Sequence, residues 1–424
     1  MNKNDIAWEK LFLKYNILNI INNTGFYIIK SDQIKEFREP RLMTKFDHKI
    51  NLPKIFIENN LSILPITRGD YIISSFSAYK NFEDIYNNNQ KVYIPANIQS
   101  LMPQFIISES IALNCACACG IINDFIEEDI IWPTVSGRMG SGTFSFNINT
   151  TANIFNINVN NSQIEIDAAY EGIESLSIIE AKMDLSDDFL IRQLYYPFRT
   201  WANKISKPIN TIFMIFSNGV FNLFSYRFND IFNYNSIELI KQKNYIISTN
   251  ITLNDIYSIL KNVNIIPEPN LPFPQADKMD RIINLIELLN RWPMTKQDIT
   301  SEYEFDDRQT NYYTDAGRYL NLIEKYTENN TIWFKLSNLG TYIMSLPYRE
   351  RQLSIISQIL SHFVFNNVLN IYLQNGELPT KNIIINIMKS SNLFNIEAES
   401  TYYRRTSTII SWINWILSKV DLTD

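Results

Sequence analysis

Two strand-like segments between residues 163 and 182 constrain the fold of this chain most strongly. In the first, isoleucine and acidic residues alternate from Ile164 to Asp167, the pattern of a strand with one buried face. The second is an apolar run from Leu176 to Ile179 that ends in Glu180-Ala181-Lys182. Such a run is typical of a strand buried on both faces. The pair therefore predicts the interior of a sheet in an α/β fold.

Charged residues stand at one end of these two strands. Glu180 and Lys182 are two positions apart and share a face, and Asp167 on the preceding strand can lie beside them. Two carboxylates that converge at the edge of an apolar sheet repel one another and are costly to desolvate. A divalent cation and a lysine between them would remove that cost.

The spacing of these three residues resembles that of the PD-(D/E)XK nuclease superfamily, to which many type II restriction endonucleases belong. Ile166 stands where the proline of the superfamily name would be. The segments IEID, IIEAK and DDFLIRQLYYPFRTW together resemble a family of restriction endonucleases with a C-terminal winged-helix region. The resemblance covers residues 132–201 well and residues 294–415 loosely.

The resemblance implies a Mg²⁺-dependent hydrolase of DNA phosphodiester bonds. Asp167 and Glu180 are then the metal ligands, with the carbonyl of Ala181 as a possible third ligand. Lys182 would orient the attacking water and offset developing negative charge. Gln193 would hold Lys182 or a phosphate, and Glu165 could aid a second ion. The structural alternative is that Asp167, Glu180 and Lys182 are ordinary surface residues of a strand, because so short a motif also occurs by chance.

Length and composition set wider limits. A chain of 424 residues is too long for one core and predicts two or three domains. The net charge of −6 is unusual for a DNA-binding protein, but phosphate contacts need only a local basic face. No apolar run is long enough to span a bilayer, so we expect a cytoplasmic protein without membrane contact. Three cysteines lie close together, at Cys115, Cys117 and Cys119. Their spacing on a helix indicates small buried residues more than a metal site.

The domain prediction follows composition and pattern. We expect an α/β fold with a restriction-endonuclease-like αβββαβ core, an N-terminal α+β region and a C-terminal winged-helix or helical domain. The predicted boundaries are 1–100 for the N-terminal region, 101–265 for the nuclease domain, 266–277 for a Pro-rich linker and 278–424 for the C-terminal domain. Four prolines between Ile266 and Gln275 exclude a helix there and mark the linker.

Within these domains, periodicity and turn residues predict individual elements. The predicted helices are 5–16, 104–128, one starting at Asp187, 278–290, one starting at Thr295 and 306–320. The predicted strands are 25–30, 64–76, 143–149, 209–216, 220–228 and 332–336, with an Asn218-Gly219 hairpin turn. Residues 132–142 are predicted to be a Gly/Ser-rich turn region.

Basic and polar residues outside the core are candidates for DNA contact. The N-terminal loop 38–49 is the most basic loop of the chain, and a plain solvated loop is its alternative. Residues 306–320 would be the DNA-reading helix of a helix-turn-helix. A weak sequence repeat near residue 404 suggests a second such unit, and a plain helical bundle is its alternative. The candidates are Arg38, Arg41, Lys45, Arg138, Arg308, Gln309, Arg318, Arg404 and Arg405.

The leading hypothesis is therefore a type II restriction endonuclease that cuts double-stranded DNA at a specific sequence. Two strands related by a two-fold axis are cut most simply by a homodimer on DNA. A cognate DNA methyltransferase is the expected genetic partner. The alternatives are a non-catalytic winged-helix DNA-binding regulator with a decayed nuclease core, and a repair or mobile-element nuclease.

Overall fold

The computed structural model describes residues 3–83, 89–95, 97–101, 106–183, 185–247, 251–303 and 307–420. It is a mixed α/β structure. The chain divides into two compact units. The first comprises Met1–Asn97, Ser108–Phe216 and Val220–Ile246, and the second comprises Ile98–Ile107, Ser217–Gly219 and Ile247–Asp424.

The N-terminal part of the first unit combines short helices with a small antiparallel sheet. Its elements are α1 Lys3–Lys14, α2 Ile17–Thr24, β1 Tyr27–Lys30, α3 Ser31–Lys35, α4 Pro40–Thr44, a 3-10 turn Lys49–Asn51, α5 Lys54–Glu58, β2 Ser62–Pro65 and β3 Asp70–Ser74. The sheet order is β1-β3-β2. The single strand predicted over 64–76 was wrong, because residues 66–69 turn the chain back on itself.

Aromatic packing positions the basic segment of this region. The ring of Trp8 meets that of Phe56 edge to face, with centroids 4.8 Å apart. The indole N–H of Trp8 donates to the carbonyl of Met43 at 3.0 Å, which ties α4 to the core. The predicted loop 38–49 therefore contains a short helix, since Pro40 suits its first position.

The rest of the first unit is built on a seven-stranded sheet of order β5-β14-β13-β12-β10-β9-β6. Strand β9 is antiparallel to β10, and β10 is parallel to β12, with α8 as the crossover. Its elements are β4 Tyr79–Asn81, β5 Asn89–Val92, α6 Glu109–Ala118, α7 Ile121–Ile126, β6 Ile131–Gly140, β7 Thr143–Asn149, β8 Ile154–Asn160, β9 Gln163–Gly172, β10 Leu176–Lys182, β11 Asp188–Leu190, α8 Arg192–Ala202, β12 Ile209–Ser217, β13 Val220–Phe228 and β14 Ile237–Ile247.

Strand β10 is the buried centre of this sheet, as its apolar run predicts. Every residue of β10 except Lys182 is buried. Helix α8 packs on one face through Leu194, Tyr195 and Tyr196, all of which are fully buried. The alternation predicted for Ile164 to Asp167 is confirmed, because both isoleucines are buried and both acids are more exposed.

Two predictions before the central strands were wrong. The long helix 104–128 is, within the described residues, α6 and α7, separated at Gly120, whose φ of 70° ends the first helix. Residues 132–142 are mostly strand β6 and not a turn region. This strand lies at the sheet edge and is interrupted by bulges between Pro133 and Gly137, so its Pro and Gly content resembles that of a turn.

The helix predicted to start at Asp187 was also wrong at its beginning. Residues Asp188–Leu190 form β11, which pairs with β4 through Phe189 and Lys80, and the helix begins only at Arg192. The pairing partner is more than 100 residues away, so local helix propensity is overridden by tertiary contact. Asp188 therefore lies outside α8, and its carboxylate accepts the backbone N–H of Lys49 at 3.2 Å, at the start of the 3-10 turn.

The second unit is mainly helical. Helix α10, a short strand, two further helices and a hairpin follow one another, and the strands form a small sheet of order β15-β17-β16. Thr295 and Asp298 form a capping box, with reciprocal bonds of 3.0 Å. The elements are α9 Leu253–Asn262, α10 Met279–Leu289, β15 Met294–Thr295, α11 Lys296–Tyr303, α12 Asp307–Tyr319, β16 Ile323–Glu328, β17 Thr331–Leu336, α13 Asn338–Ser345, α14 Tyr348–Leu360, α15 Phe363–Asn375, α16 Lys381–Lys389 and α17 Glu399–Ser418.

The Pro-rich segment is extended, as its composition predicts, and it packs into the second unit. Phe273 and Ala276 are buried in the helical core. The indole N–H of Trp412 donates to the carbonyl of Ala276 at 2.8 Å. The backbone N–H of Ile266 donates to the carbonyl of Ser361 at 2.9 Å. This segment is therefore held by the helices around it.

Candidate active site

The candidate site lies where strands β9 and β10 separate. Their ladder ends at the pair Ile179 and Ala168, and one further step in the same register would set Glu180 opposite Asp167. Beyond this point the backbone N–H of Ala181 donates to the Asp167 carboxylate, Oδ2, at 2.8 Å. The Asp167 carboxylate thus accepts the N–H that would otherwise be donated to a strand carbonyl. This bond fixes the carboxylate at the point where the two strands separate.

Glu180 and Lys182 lie on the face of β10 that is covered by α8. The ammonium of Lys182 donates to Glu180 Oε1 at 2.6 Å, and the amide Nε2 of Gln193 donates to the same oxygen at 2.8 Å. Glu180 is only 8% exposed. The structure therefore brings Asp167, Glu180, Lys182 and Gln193 together. Gln193 holds Glu180, where a bond to Lys182 or to phosphate was expected.

An acidic residue that the sequence did not single out lies beside this group. Asp47 follows α4 in the N-terminal part of the unit, and its carbonyl accepts the N–H of Leu190 at 2.9 Å. Its carboxylate interacts electrostatically with Lys182 and Arg192. No local pattern pointed to Asp47, because it is more than 100 residues from the strands that it joins.

The charges of the site shift the pKa values of its members. Burial raises the pKa of Glu180 to about 7, although Lys182 opposes the shift. Burial likewise raises the pKa of Asp167 against the opposing Ala181 N–H, and Glu109 in the first turn of α6 adds to the rise. Burial alone would lower the pKa of Lys182, but the surrounding carboxylates raise it above its usual value. Burial is thus the main cause of the raised carboxyl pKa values, whereas the surrounding carboxylates cause the raised pKa of the lysine.

A divalent cation fits this electrostatic pattern. Among the residues that the structure describes, no group of three or more His, Cys, Asp or Glu side chains is arranged to hold a metal ion. Mg²⁺ at phosphate-binding sites is usually held by only one or two carboxylates, and its other positions are filled with water and phosphate. Asp167 and Glu180 supply such a pair. The Oε1 of Gln193 is buried and has no hydrogen-bond partner among the described residues, so an acceptor remains near Glu180.

The candidate DNA-contacting residues of the first unit lie in two places. Arg38 donates to Asn4 at 2.7 Å, and the exposed Lys45 lies 3.5 Å from Asp47. Arg41 is exposed on α4. Arg138 is exposed on the edge strand and pairs with Glu165 at 3.2 Å. Arg199 is buried and donates to the carbonyls of Ser145 and Ile231.

The candidate DNA-contacting residues of the second unit lie on two helices, α12 and α17. Arg308 is exposed and Gln309 partly exposed in the first turn of α12, and Arg318 pairs with Asp315 at 2.7 Å near its end. Arg404 is exposed on α17 and Arg405 half-buried. Residues 390–398 separate α16 from α17, which is longer than the turn of about three or four residues in a helix-turn-helix. This favours the helical-bundle alternative for the second, weaker repeat.

Other sequence features carry no site within the described residues. Cys115 is buried and Cys117 and Cys119 are partly buried at or near the end of α6. No helix in the described ranges is long and apolar enough to cross a membrane.

Comparison with known proteins divides the chain into three matched stretches. Residues 5–73 are similar to a domain of unknown function (DUF6996), residues 74–246 to a domain of unknown function (DUF6997) and residues 281–421 to a domain of unknown function (DUF7226). No curated protein and no solved structure matches. Asp167, Glu180, Lys182 and Gln193 lie in the second stretch, whereas Asp47 lies in the first.

The raised pKa of Glu180 predicts a pH dependence of stability in the metal-free protein. The folded state keeps a proton on Glu180 up to about pH 7, whereas the unfolded chain loses it near 4.5. The resulting stabilisation is complete below about 4.5 and is lost as the pH rises through about 7. From pH 5 to 8, the free energy of unfolding should therefore fall by about 3 kcal/mol more in the native chain than in Glu180→Gln.

Chemical denaturation with a chelator present measures this difference at each pH. Glu174→Gln is the matched control, because Glu174 is exposed on the same β9–β10 connection, and its pH profile should follow that of the native chain. Parallel profiles for the native chain and Glu180→Gln would show that Glu180 titrates normally.

Proposed function

We propose that this chain is a Mg²⁺-dependent endonuclease of the type II restriction class, which hydrolyses phosphodiester bonds of double-stranded DNA. The observation that carries the proposal is the convergence of Asp167, Glu180 and Lys182 at the point where β9 and β10 separate. Such a group at the ends of two interior strands has the charges that phosphodiester hydrolysis requires.

The topology of the first unit supports the same proposal. Helix α6 precedes β6, β9 and β10, which are successive antiparallel neighbours in the sheet, and α8 then leads to β12, parallel to β10. This order resembles the αβββαβ core of the superfamily, with the β7–β8 hairpin inserted between β6 and β9. Fold likeness alone says nothing about activity, so the site carries the functional argument.

Each polar residue of the site has a role in this chemistry. Asp167 and Glu180 would hold Mg²⁺, with the Ala181 carbonyl as the proposed third ligand. When bound, the ion polarises the phosphate and makes a water more acidic. The raised pKa of Lys182 keeps its side chain charged at neutral pH. Lys182 is assigned the role of orienting water and stabilising developing negative charge.

Gln193 acts on the site through Glu180. Its amide bond to Oε1 restrains a carboxylate that burial and neighbouring acids would otherwise destabilise. Because Gln193 lies in the first turn of α8, its position follows from the packing of that helix on β10. Replacing it should therefore disturb the orientation of Glu180 more than the binding of DNA.

DNA binding is assigned to the second unit with help from the basic N-terminal segment. Helices α10 to α12, followed by the β16–β17 hairpin, have the order of a winged helix-turn-helix. In such motifs the start of the second helix of the pair contacts the major groove. Arg308 and Gln309 occupy that place on α12, and Arg318 lies two turns or more beyond it. Arg41, Lys45, Arg138 and the Arg404–Arg405 pair are further proposed phosphate contacts.

Cutting both strands calls for a second active site. A homodimer on DNA provides two sites related by the two-fold axis of the duplex. A restriction enzyme of this kind also requires a cognate DNA methyltransferase that protects the host sequence. Duplex binding by the native chain without any cutting would instead favour a non-catalytic regulator.

Alanine substitutions at the site test the catalytic assignment. Asp167→Ala, Glu180→Ala and Lys182→Ala should each lower Mg²⁺-dependent cleavage by roughly 10³-fold, because each removes a charge used in the transition state. Specific DNA binding should survive, since recognition is assigned to other residues. Cleavage and binding are measured on the same preparations, after plasmid digestion and end sequencing have identified the target.

Glu174→Ala is the control, because it removes an exposed carboxylate close to the same strands. It should cut at the native rate. Full cleavage by Asp167→Ala or Glu180→Ala would exclude the assigned site, whereas loss of binding in step with loss of cleavage would indicate misfolding.

A charge substitution on α12 tests the assignment of DNA binding. Arg308→Ala should weaken duplex binding several-fold and reduce the slope of log affinity against log salt by about 0.9, because one phosphate contact is lost. Fluorescence anisotropy at several salt concentrations gives both quantities. Lys261→Ala, an exposed cation on α9, is the control and should change neither. An unchanged affinity and slope for Arg308→Ala would remove α12 from the interface.

A further inference from the structure

The position of Asp47 is fixed from several sides. Its carbonyl accepts the N–H of Leu190, and the hydroxyl of Tyr79 donates to the carbonyl of the preceding Phe46 at 2.9 Å. The ring of the following His48 contacts the carbonyl of Asp188 at 2.5 Å through Nδ1. These contacts attach residues 46–48 to the segment between β10 and α8, so Asp47 is held at the candidate site.

The carboxylate of Asp47 is only partly paired among the described residues. Its Oδ1 is buried without a hydrogen bond among the described residues, and its Oδ2 lies 3.5 Å from the exposed ammonium of Lys45. The side chain is 17% exposed. Burial alone would raise the pKa of this carboxyl, but nearby cations hold it below its usual value, and Lys182 has the largest effect among them. Asp47 is thus a charged acceptor with unused capacity next to Lys182.

Lys182 needs such an acceptor if Glu180 binds a cation. In the described structure its ammonium donates to Glu180 Oε1. A metal ion on Glu180 would compete for that oxygen and repel the ammonium at close range. Only 15% of the Lys182 side chain is exposed, so its ammonium has little access to water. A second carboxylate is then required to keep the charged group in place.

We propose that Asp47 is a positioning residue that anchors the Lys182 ammonium, so that the N-terminal segment completes the active site. Asp47 acts through Lys182 and is assigned no direct contact with substrate. The role in cleavage rests on the proposed nuclease function, whereas the coupling between Asp47 and Lys182 does not.

A double-mutant cycle on thermal stability tests the coupling. Asp47→Asn, Lys182→Met and the double variant are compared with the native chain in the presence of a chelator. Without Lys182 the buried Asp47 carboxylate loses its main counter-charge, so neutralising it should restore stability. The change in unfolding temperature caused by Asp47→Asn should therefore be at least about 3 °C more positive in the Lys182→Met background than in the native chain.

Asp32→Asn is the control, because Asp32 is exposed on α3, and its effect should be the same in both backgrounds. If Lys182→Met does not fold, Lys182→Gln takes its place in the same cycle. Equal shifts for Asp47→Asn in the two backgrounds would overturn the proposal.

Cleavage kinetics give a second, independent readout. Asp47→Asn should lower kcat by about 10-fold or more while KM and DNA affinity stay within about two-fold, since only the placement of Lys182 changes. Asp32→Asn should cut normally. An unchanged kcat in Asp47→Asn would reject the positioning role. The two readouts can disagree. If the stability cycle shows coupling but the native chain never cuts DNA, the Asp47–Lys182 interaction is upheld and the nuclease function is rejected.

Discussion

Two carboxylates and a lysine, buried or half-buried at the ends of two central strands, are the constraint on which this site depends. Strand β10 is buried on both faces, so Glu180 has almost no access to water. Charged groups in such a place are stable only when paired, hydrogen-bonded or bound to a cation. Lys182 and Gln193 partly meet that need for Glu180, and the Ala181 N–H does so for Asp167. The remaining net negative charge is the physical argument for a divalent ion.

The surrounding elements can be understood from this constraint. Strand separation frees the Ala181 N–H for a side chain, and the α8 crossover brings Gln193 to Glu180. The pairing of β11 with β4 and the Leu190 bond bring Asp47 beside Lys182. Distant parts of the first unit therefore contribute charges to one place. A site of this kind is sensitive to small displacements, because each charge depends on the others for compensation.

The part of the site that lies on adjacent strands was predictable from sequence. Alternation from Ile164 to Asp167 and the apolar run before Glu180 are local patterns with direct structural meaning. Asp47 was not predictable, because its role depends on a contact between segments far apart in the chain. Strand β6 and the start of α8 were misassigned for related reasons. Edge-strand bulges resemble turns in composition, and the pairing of Asp188–Leu190 with a remote strand leaves no local signal.

The central claim is that Asp167 and Glu180 form a cation site, and calorimetric titration with Mg²⁺ tests it most directly. Because the pKa of Glu180 is about 7, cation binding at pH 7 should release about half a proton, seen as a dependence of the heat on the ionisation enthalpy of the buffer. Binding should disappear in Asp167→Ala and Glu180→Ala and persist in Lys182→Ala. Equal binding in the native chain and in Glu180→Ala, or none in the native chain with cognate DNA present, would contradict the account.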